Sequence, residues 1–207
     1  MVKGTAPQLE LFLGVVLAGG KSSRMGADKA LLPFCGRTLL QHQYEKMVSV
    51  VGSENVVVSG NYPQYQHIVD QDHGIGPLGG ISSIVKQFAN TEYFVFLPVD
   101  MPNLSEKTLF RLIQIAVSDS TSDCWSYASF EMPLIIKNGE GLELILANLL
   151  SQPPQFRSIR GLIQLMNHQP VIPEAEGHEF ANANTVKDWS DVLNEYTHGF
   201  QSGSSSH

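Results

Sequence analysis

The run Gly14-Val15-Val16-Leu17, followed at once by Ala18-Gly19-Gly20, constrains this chain more than any other stretch. An apolar, partly β-branched run with no polar alternation reads as a strand buried on both faces, and such strands belong to parallel sheets covered by helices. The paired glycines end the strand and carry no Cβ, so backbone after it can approach a ligand oxygen closely. Segment 21–37 then supplies Lys21, Arg24, Lys29 and Arg37 against the single acid Asp28. A basic loop after a first parallel strand, in a chain of formal net charge -7, points to a small anionic ligand. The same acidic balance argues against a surface built to grip nucleic acid.

Two familiar phosphate motifs do not fit. A P-loop would need glycine five positions before Gly20 in Gly20-Lys21-Ser22, where the chain has Val15; Gly14 is one residue too early. The dinucleotide pattern G-x-G-x-x-G is absent from the loop as well. What remains is residues 17–29, in which Arg24 offers a planar fork of donors and Lys29 a compact cation. Both suit the charge that spreads over phosphate oxygens when a phosphoryl or nucleotidyl group is transferred.

Strand and helix patterns then alternate. Asn55–Ser59 reads as a strand, Ile68-Val69 as a weaker one and Tyr93–Leu97 as the clearest, with helical spacing over Leu39–Val50 and Leu78–Phe88 between them. Ser105 is placed to cap a helix over Glu106–Ala116. Cys124–Phe130 and Met132–Lys137 look like two more strands, and Leu142–Leu150 and Ser158–Met166 like helices separated by Pro153-Pro154. Thr185-Val186-Lys187-Asp188 fits a capping box opening a last helix through Asn194. The order predicts an α/β fold with a mostly parallel sheet, helices on both faces and a ligand crevice at the carboxyl ends of the strands.

That geometry gives Asp100 its interest. In Leu97-Pro98-Val99-Asp100-Met101-Pro102 it follows the clearest strand directly. A carboxylate there can hold magnesium, which commonly takes one or two protein carboxylates with phosphate oxygens and water; the alternative is an aspartate that starts a turn.

With 207 residues, 43% of them hydrophobic, the chain suits one domain with a real core, expected over 1–198, and a disordered tail over 199–207. Cys35 and Cys124 are too few and too distant for a disulfide scaffold or a zinc site. No apolar run approaches the ~20 residues of a membrane span. Met1–Phe12 lacks a secretory pattern, so a cytoplasmic location is expected.

Five pieces in order, Leu17-Ala18-Gly19-Gly20-Lys21 with Arg24-Met25-Gly26 and Asp28-Lys29, then Val56–Asn61, then Asp70 with Gly76–Ile81, then Val99–Pro102, then Asn182–Thr185, resemble the molybdenum cofactor guanylyltransferases. These are MobA-like nucleotidyltransferases. The resemblance covers nearly all of 14–185 and implies a three-layer αβα sandwich with a Rossmann-like, nucleotide-diphospho-sugar transferase (glycosyltransferase-A-like) fold. It implies that GMP passes from GTP to the phosphate of molybdopterin, with magnesium, or manganese substituting, and release of pyrophosphate. Carried over by position, Leu17, Ala18, Gly19, Gly20, Gly76, Pro77 and Leu78 would line the nucleotide site. Lys29 and Arg24 would meet phosphates, Ser59 and Asp70 the guanosine, and Asp100 the metal. Arg157, Arg160, Asn182 and Asn184 would face the acceptor.

Three positions depart from the family's habit: Ser59 where asparagine is frequent, Val99 where a small residue or cysteine is, and Met132 where a polar residue is. They bear on base and acceptor choice. CTP in place of GTP, a sugar or isoprenoid phosphate as acceptor, and a non-catalytic nucleotide-binding or carrier-interaction protein are the competing readings. Lys29 and Asp100 speak against the last, since a pure binder needs neither. The resemblance also implies transient contact with cofactor-delivering proteins, no nucleic acid or membrane partner, and a monomer or weak oligomer.

Overall fold

The computed structural model describes residues 9–19, 28–69, 75–174, 177–183 and 188–190. Within these, the elements run β1 (Phe12–Leu17), β2 (Pro33–Phe34), β3 (Arg37–Thr38), α1 (Leu39–Val51), β4 (Val56–Ser59), β5 (His67–Ile68) and α2 (Pro77–Gln87). They continue with β6 (Tyr93–Pro98), α3 (Glu106–Ser118), β7 (Cys124–Tyr127), β8 (Leu134–Lys137), α4 (Leu142–Ser151), α5 (Ile159–Gln164) and β9 (His168–Val171). Seven strands form one sheet in the order β5-β4-β1-β6-β8-β7-β9. Six of them run one way and β8 alone runs against its neighbours β6 and β7. The expected mixed, mostly parallel sheet is the one observed.

The alternation of side chains along the central strands explains why their sequences are apolar throughout. Phe12 and Val16 of β1, Val56 and Val58 of β4 and Val95 and Leu97 of β6 pack on one face with residues of α1 and α3. Leu13, Val15 and Leu17 of β1, Val57 of β4 and Phe94 and Phe96 of β6 pack on the other face with α2, α4 and α5. A strand buried on both faces has no position left for a polar residue, and the result is a three-layer sandwich.

Local chemistry sets the element ends. Thr38 caps α1 by accepting from the Gln41 amide at 3.1 Å, and Ser105 caps α3 by accepting from the Thr108 amide at 3.1 Å, as its sequence context predicts. Ser158 caps α5 in the same way, through the Gly161 amide at 3.0 Å.

The two strands expected at 124–137 are shorter than predicted, ending at Tyr127 and beginning at Leu134. Their short connection allows only an antiparallel hairpin, since a parallel return needs a crossover of a dozen residues or more. Two features have no counterpart in the sequence reading. The β2–β3 hairpin turns on Cys35-Gly36, both at positive φ (48° and 81°), and its strands are two residues long. Strand β9 carries Pro170 and polar neighbours, which suit a sheet edge but give no strand signal. Of the predicted last helix, only 188–190 fall among the described residues, and the tail 199–207 lies outside them. Among the described residues no helix is long and apolar enough to cross a membrane.

Gly14 sits in mid-β1 beneath α1, where an added Cβ would lie 2.4 Å from Met47 Cγ and 2.9 Å from Val51 Cγ2. Gly14→Ala is therefore expected to overpack this contact by about 1–3 kcal/mol. Adding Met47→Ala should relieve the clash, so thermal unfolding of the double variant should show a smaller loss than the two single losses summed.

Candidate functional site

Parallel pairing lines up three strand ends. Leu17 of β1 stands opposite Ser59 of β4 on one side and Pro98 of β6 on the other. The backbone that leaves these strands builds the site. The amides of Ala18 and Gly19 both donate to Ser59 O, at 3.0 and 2.8 Å, and the Val99 amide donates to Leu17 O at 3.0 Å. These bonds tie the end of β1 to the ends of β4 and β6. Leu17 and Ala18 are buried and form the floor, and Gly19 is exposed beside it.

Lys29 and Asp100 face each other over this floor. The Lys29 Nζ donates to Asp100 Oδ2 at 3.3 Å, although the two are 71 residues apart in sequence. Their side chains are 12% and 24% exposed, so the pair lies at the edge of water rather than in the core. Lys29 opens a 3-10 turn, Lys29–Leu31, that is capped by Asp28: the Ala30 amide donates to Asp28 Oδ1 at 3.0 Å. Tyr62 in turn donates its hydroxyl proton to the Asp28 carboxylate, 2.9 and 3.0 Å from its two oxygens, with Ala18 O also 3.3 Å away.

The turn that presents Asp100 is held from below by three polar side chains of α1. Gln43, fully buried, donates through Nε2 to Pro98 O at 3.0 Å and to Met101 O at 2.9 Å, bridging the two ends of the turn. Lys46 Nζ donates to Pro102 O at 2.8 Å, and His42 Nε2 lies 3.2 Å from the same oxygen. Burial, with the Lys46 charge beside it, pushes the His42 pKa down to about 4, so this ring is neutral at ordinary pH and packs on Phe34.

From the other side, residues 177–183 clasp the same turn. The Ala183 amide donates to Asp100 O at 2.9 Å. Glu179 Oε2 accepts from the Ser105 amide at 3.0 Å and from the Thr108 hydroxyl at 2.7 Å, and Phe180 stacks on Phe130 with ring centroids 4.2 Å apart.

The proposed site residues thus divide. Leu17, Ala18, Gly19, Lys29, Ser59 and Asp100 come together, and Asn182, exposed, adjoins the residue bonded to Asp100. Gly76 at φ 79° and Pro77 start α2, and Leu78 is buried, so only its backbone can reach a ligand. Ser59 is buried beneath that helix: a Cβ on Gly80 would lie 2.4 Å from its Oγ. Arg157 and Arg160 are held locally instead, Arg157 by Gln152 O at 2.6 Å and Arg160 by Glu131 at 2.9 Å. Gly20, Arg24, Asp70 and Asn184 lie outside the described residues.

Sequence reasoning missed Tyr62, Gln43, Lys46 and Glu179. For Gln43 and Lys46 a signal was there, because both fall on the apolar stripe of α1 that includes Leu39, Met47 and Val50.

A family model described as the MobA-like NTP transferase domain matches residues 14–170. The molybdenum cofactor guanylyltransferase of Xanthomonas euvesicatoria pv. vesicatoria (strain 85-10) is 39% identical over 183 residues, which are 88% of this chain and 94% of that protein. Among solved structures, molybdopterin-guanine dinucleotide biosynthesis protein A from Archaeoglobus fulgidus superposes with a TM-score of 0.73 at 19% identity, covering 89% of this chain and 98% of that one. A CMP:2-keto-3-deoxy-manno-octonic acid synthetase, solved with CTP, gives 0.71 at 14% identity and covers 91% and 99%. At those identities the likeness is one of fold.

Lys46 makes this site's support pH-dependent. Burial is the main cause that lowers its pKa from 10.5 to about 7, with Arg37 adding to it and Glu106 and Glu179 opposing. The folded chain therefore gives up this proton at lower pH than the unfolded chain does. The penalty for charging Lys46 is full below pH 7 and fades as pH rises toward 10.5, by at most about 1.4 kcal/mol per pH unit. Denaturant titrations of Lys46→Met against the parent should show the variant's relative stability highest below pH 7 and falling as pH rises.

Proposed function

We propose that this chain, which belongs to the MobA-like NTP transferase family, transfers the guanylyl group of GTP to the phosphate of molybdopterin. The products are molybdopterin guanine dinucleotide and pyrophosphate. The observation that carries the reading is the Lys29–Asp100 pair, brought from opposite ends of a 71-residue span to 3.3 Å at the carboxyl ends of adjacent strands. The relative named as a molybdenum cofactor guanylyltransferase, at 39% identity over most of both chains, supports guanine and molybdopterin as the substrates.

The residues fit a magnesium ion held jointly with a nucleotide. Asp100 offers one part-exposed carboxylate, and among the described residues no cluster of three His, Cys, Asp or Glu could hold a metal alone. One carboxylate completed by phosphate oxygens and water is what magnesium commonly accepts, and manganese can take its place. When bound there, the metal supplies positive charge to the phosphates as the leaving group departs.

An oxygen of the acceptor phosphate attacks the α-phosphorus of GTP in line. The new P–O bond forms as the bond from the α-phosphorus to the αβ-bridging oxygen breaks, and pyrophosphate leaves with that electron pair. Lys29 exchanges its ion pair with Asp100 for the nucleotide's phosphates and offsets their charge. The attacking phosphate is already ionised near neutral pH, so no general base is required, in keeping with a His42 that is buried and neutral.

Arg24 serves the phosphates and Asp70 and Ser59 the guanosine side in this reading, with Gly20 and the start of α2 lining the site. The buried Ser59 makes its contribution by shaping the floor and through its backbone. Asn182, and Asn184 with it, serve the acceptor. A cytoplasmic location belongs to the same proposal, since GTP is drawn from the cytoplasm.

Purified protein given magnesium, GTP and molybdopterin should release pyrophosphate. Lys29→Ala should lower kcat by roughly 10²–10³-fold, and Asp100→Ala should abolish metal-dependent turnover. Absence of release from GTP, or an Asp100→Ala form as active as the parent, would sink the proposal. Base choice has a separate readout: at a hundred times its dissociation constant a true substrate raises stability by about 2.7 kcal/mol. GTP should raise the melting point under conditions where CTP does not.

A further inference from the structure

The Tyr62 side chain belongs to no motif, yet it touches both walls of the Lys29 turn. Its ring packs over Gly60, where an added Cβ would fall 2.7 Å from Tyr62 Cε2 and 3.3 Å from the Gly19 amide nitrogen. Only a bare Cα allows that approach, so the ring is wedged between the end of β4 and the end of β1. At its tip the hydroxyl reaches both Asp28 oxygens, at 2.9 and 3.0 Å, and lies 3.3 Å from Ala18 O. Ala18 and Asp28 are ten positions apart in sequence and meet through this one oxygen.

We propose that Tyr62 is a positioning residue for nucleotide binding, its hydroxyl fixing the Asp28 carboxylate so that the Lys29 turn is held against the end of β1. The chain of contacts is direct. The hydroxyl orients Asp28, Asp28 caps the turn through the Ala30 amide at 3.0 Å, and the turn aims Lys29 Nζ at Asp100. A carboxylate bound by two donors swings less than one bound by one, and charge-assisted bonds of this kind are about twice as strong as neutral ones. Burial, with Asp28 beside it, raises the phenol's pKa, which favours the protonated, donating hydroxyl.

The alternative, that Tyr62 serves only to fill space, makes a different prediction. The ring is buried, and a filler needs the ring but not the oxygen. Tyr62→Phe keeps the ring over Gly60 and removes only the hydroxyl.

The inference rests on the reading that Lys29 meets the nucleotide's phosphates, and the test separates the two. GTP affinity would be measured by equilibrium titration with magnesium present, for the parent, Tyr62→Phe, Lys29→Ala and the double variant, alongside thermal unfolding without nucleotide. Tyr62→Phe should weaken GTP binding about ten-fold in the parent, the size expected for losing one charge-assisted bond's ordering effect. In the Lys29→Ala background it should weaken binding by less than about two-fold, because its effect runs through Lys29.

If Lys29→Ala weakens binding but Tyr62→Phe does not, or if the two losses simply multiply, the Tyr62 proposal is overturned and the Lys29 reading stands. Should Lys29→Ala bind GTP as the parent does, the Lys29 reading falls and takes this proposal with it. A lowered melting point with an equal loss of affinity in both backgrounds would reduce Tyr62 to a structural residue. Asp28→Ala approaches the same contact from the other partner: it removes the Ala30 cap as well, so it should weaken binding at least as much, and Tyr62→Phe should add nothing to it. Asp28→Asn, which keeps an acceptor for the hydroxyl, should retain affinity within about three-fold of the parent. Were Tyr62→Phe unfolded, these two variants would decide the question alone.

Discussion

Parallel pairing of β1 with β4 and β6 is the constraint on which everything else in the site depends. A strand buried on both faces must send its chain back over the sheet through a helix, so every loop leaving a parallel strand's carboxyl end emerges on the same edge. With Leu17 opposite Ser59 and Pro98, and neighbouring strands about 4.8 Å apart, three separate segments are delivered to one place. Lys29 and Asp100 need no affinity for each other to meet there. The register of strands made of valine, leucine and phenylalanine does it for them, and hydrophobic burial on two faces fixes that register.

Delivery alone would leave the loops loose, and the structure shows how they are stiffened. Turns at strand ends expose backbone carbonyls that must find donors when they are not in water. Here α1 supplies them from side chains on its buried face: Gln43 spans the Asp100 turn and Lys46 and His42 meet Pro102 O. Burying a lysine is expensive, as its lowered pKa records. A methionine in its place would be cheaper for the core but would leave Pro102 O to His42. The residue's presence is intelligible as stability exchanged for a turn with one conformation, the condition under which a single carboxylate can hold a ligand in place.

How much of this was legible beforehand follows the same division. Long-range periodicity and capping are written in local residue choice, so β1, β4, β6 and the helices from 39, 106 and 142 are found where their patterns place them. Lys29 and Asp100 stood out because each follows a strand whose apolar run is unmistakable. What stayed hidden depends on tertiary contact. No local rule distinguishes Tyr62 from any aromatic after a turn, and Glu179 acts on a helix 71 to 74 residues away in sequence. The close backbone approach of Ser59 O to the Ala18 and Gly19 amides is likewise a tertiary contact that the glycine pattern alone does not specify. Pro170 hid β9, because a residue that donates nothing to the ladder argues against a strand except at an edge.

The two flanks of the Asp100 turn are unequal in a way that bears on function. On the Lys29 flank, two of the contacts run through side chains: Tyr62 to Asp28, Lys29 to Asp100. On the other flank the contact is backbone to backbone, from the Ala183 amide to Asp100 O, backed by Glu179 on the first turn of α3 and Phe180 against Phe130. A backbone bond is indifferent to side-chain identity, so it places no demand on the exposed side chain of Asn182 beside it. The Tyr62–Asp28 and Lys29–Asp100 contacts, by contrast, depend on the identity of their side chains. The strand register that delivers these loops does not require a particular sequence, which is consistent with the same fold in proteins as different in name as a molybdopterin-guanine dinucleotide biosynthesis protein and a CMP:2-keto-3-deoxy-manno-octonic acid synthetase, at 19% and 14% identity.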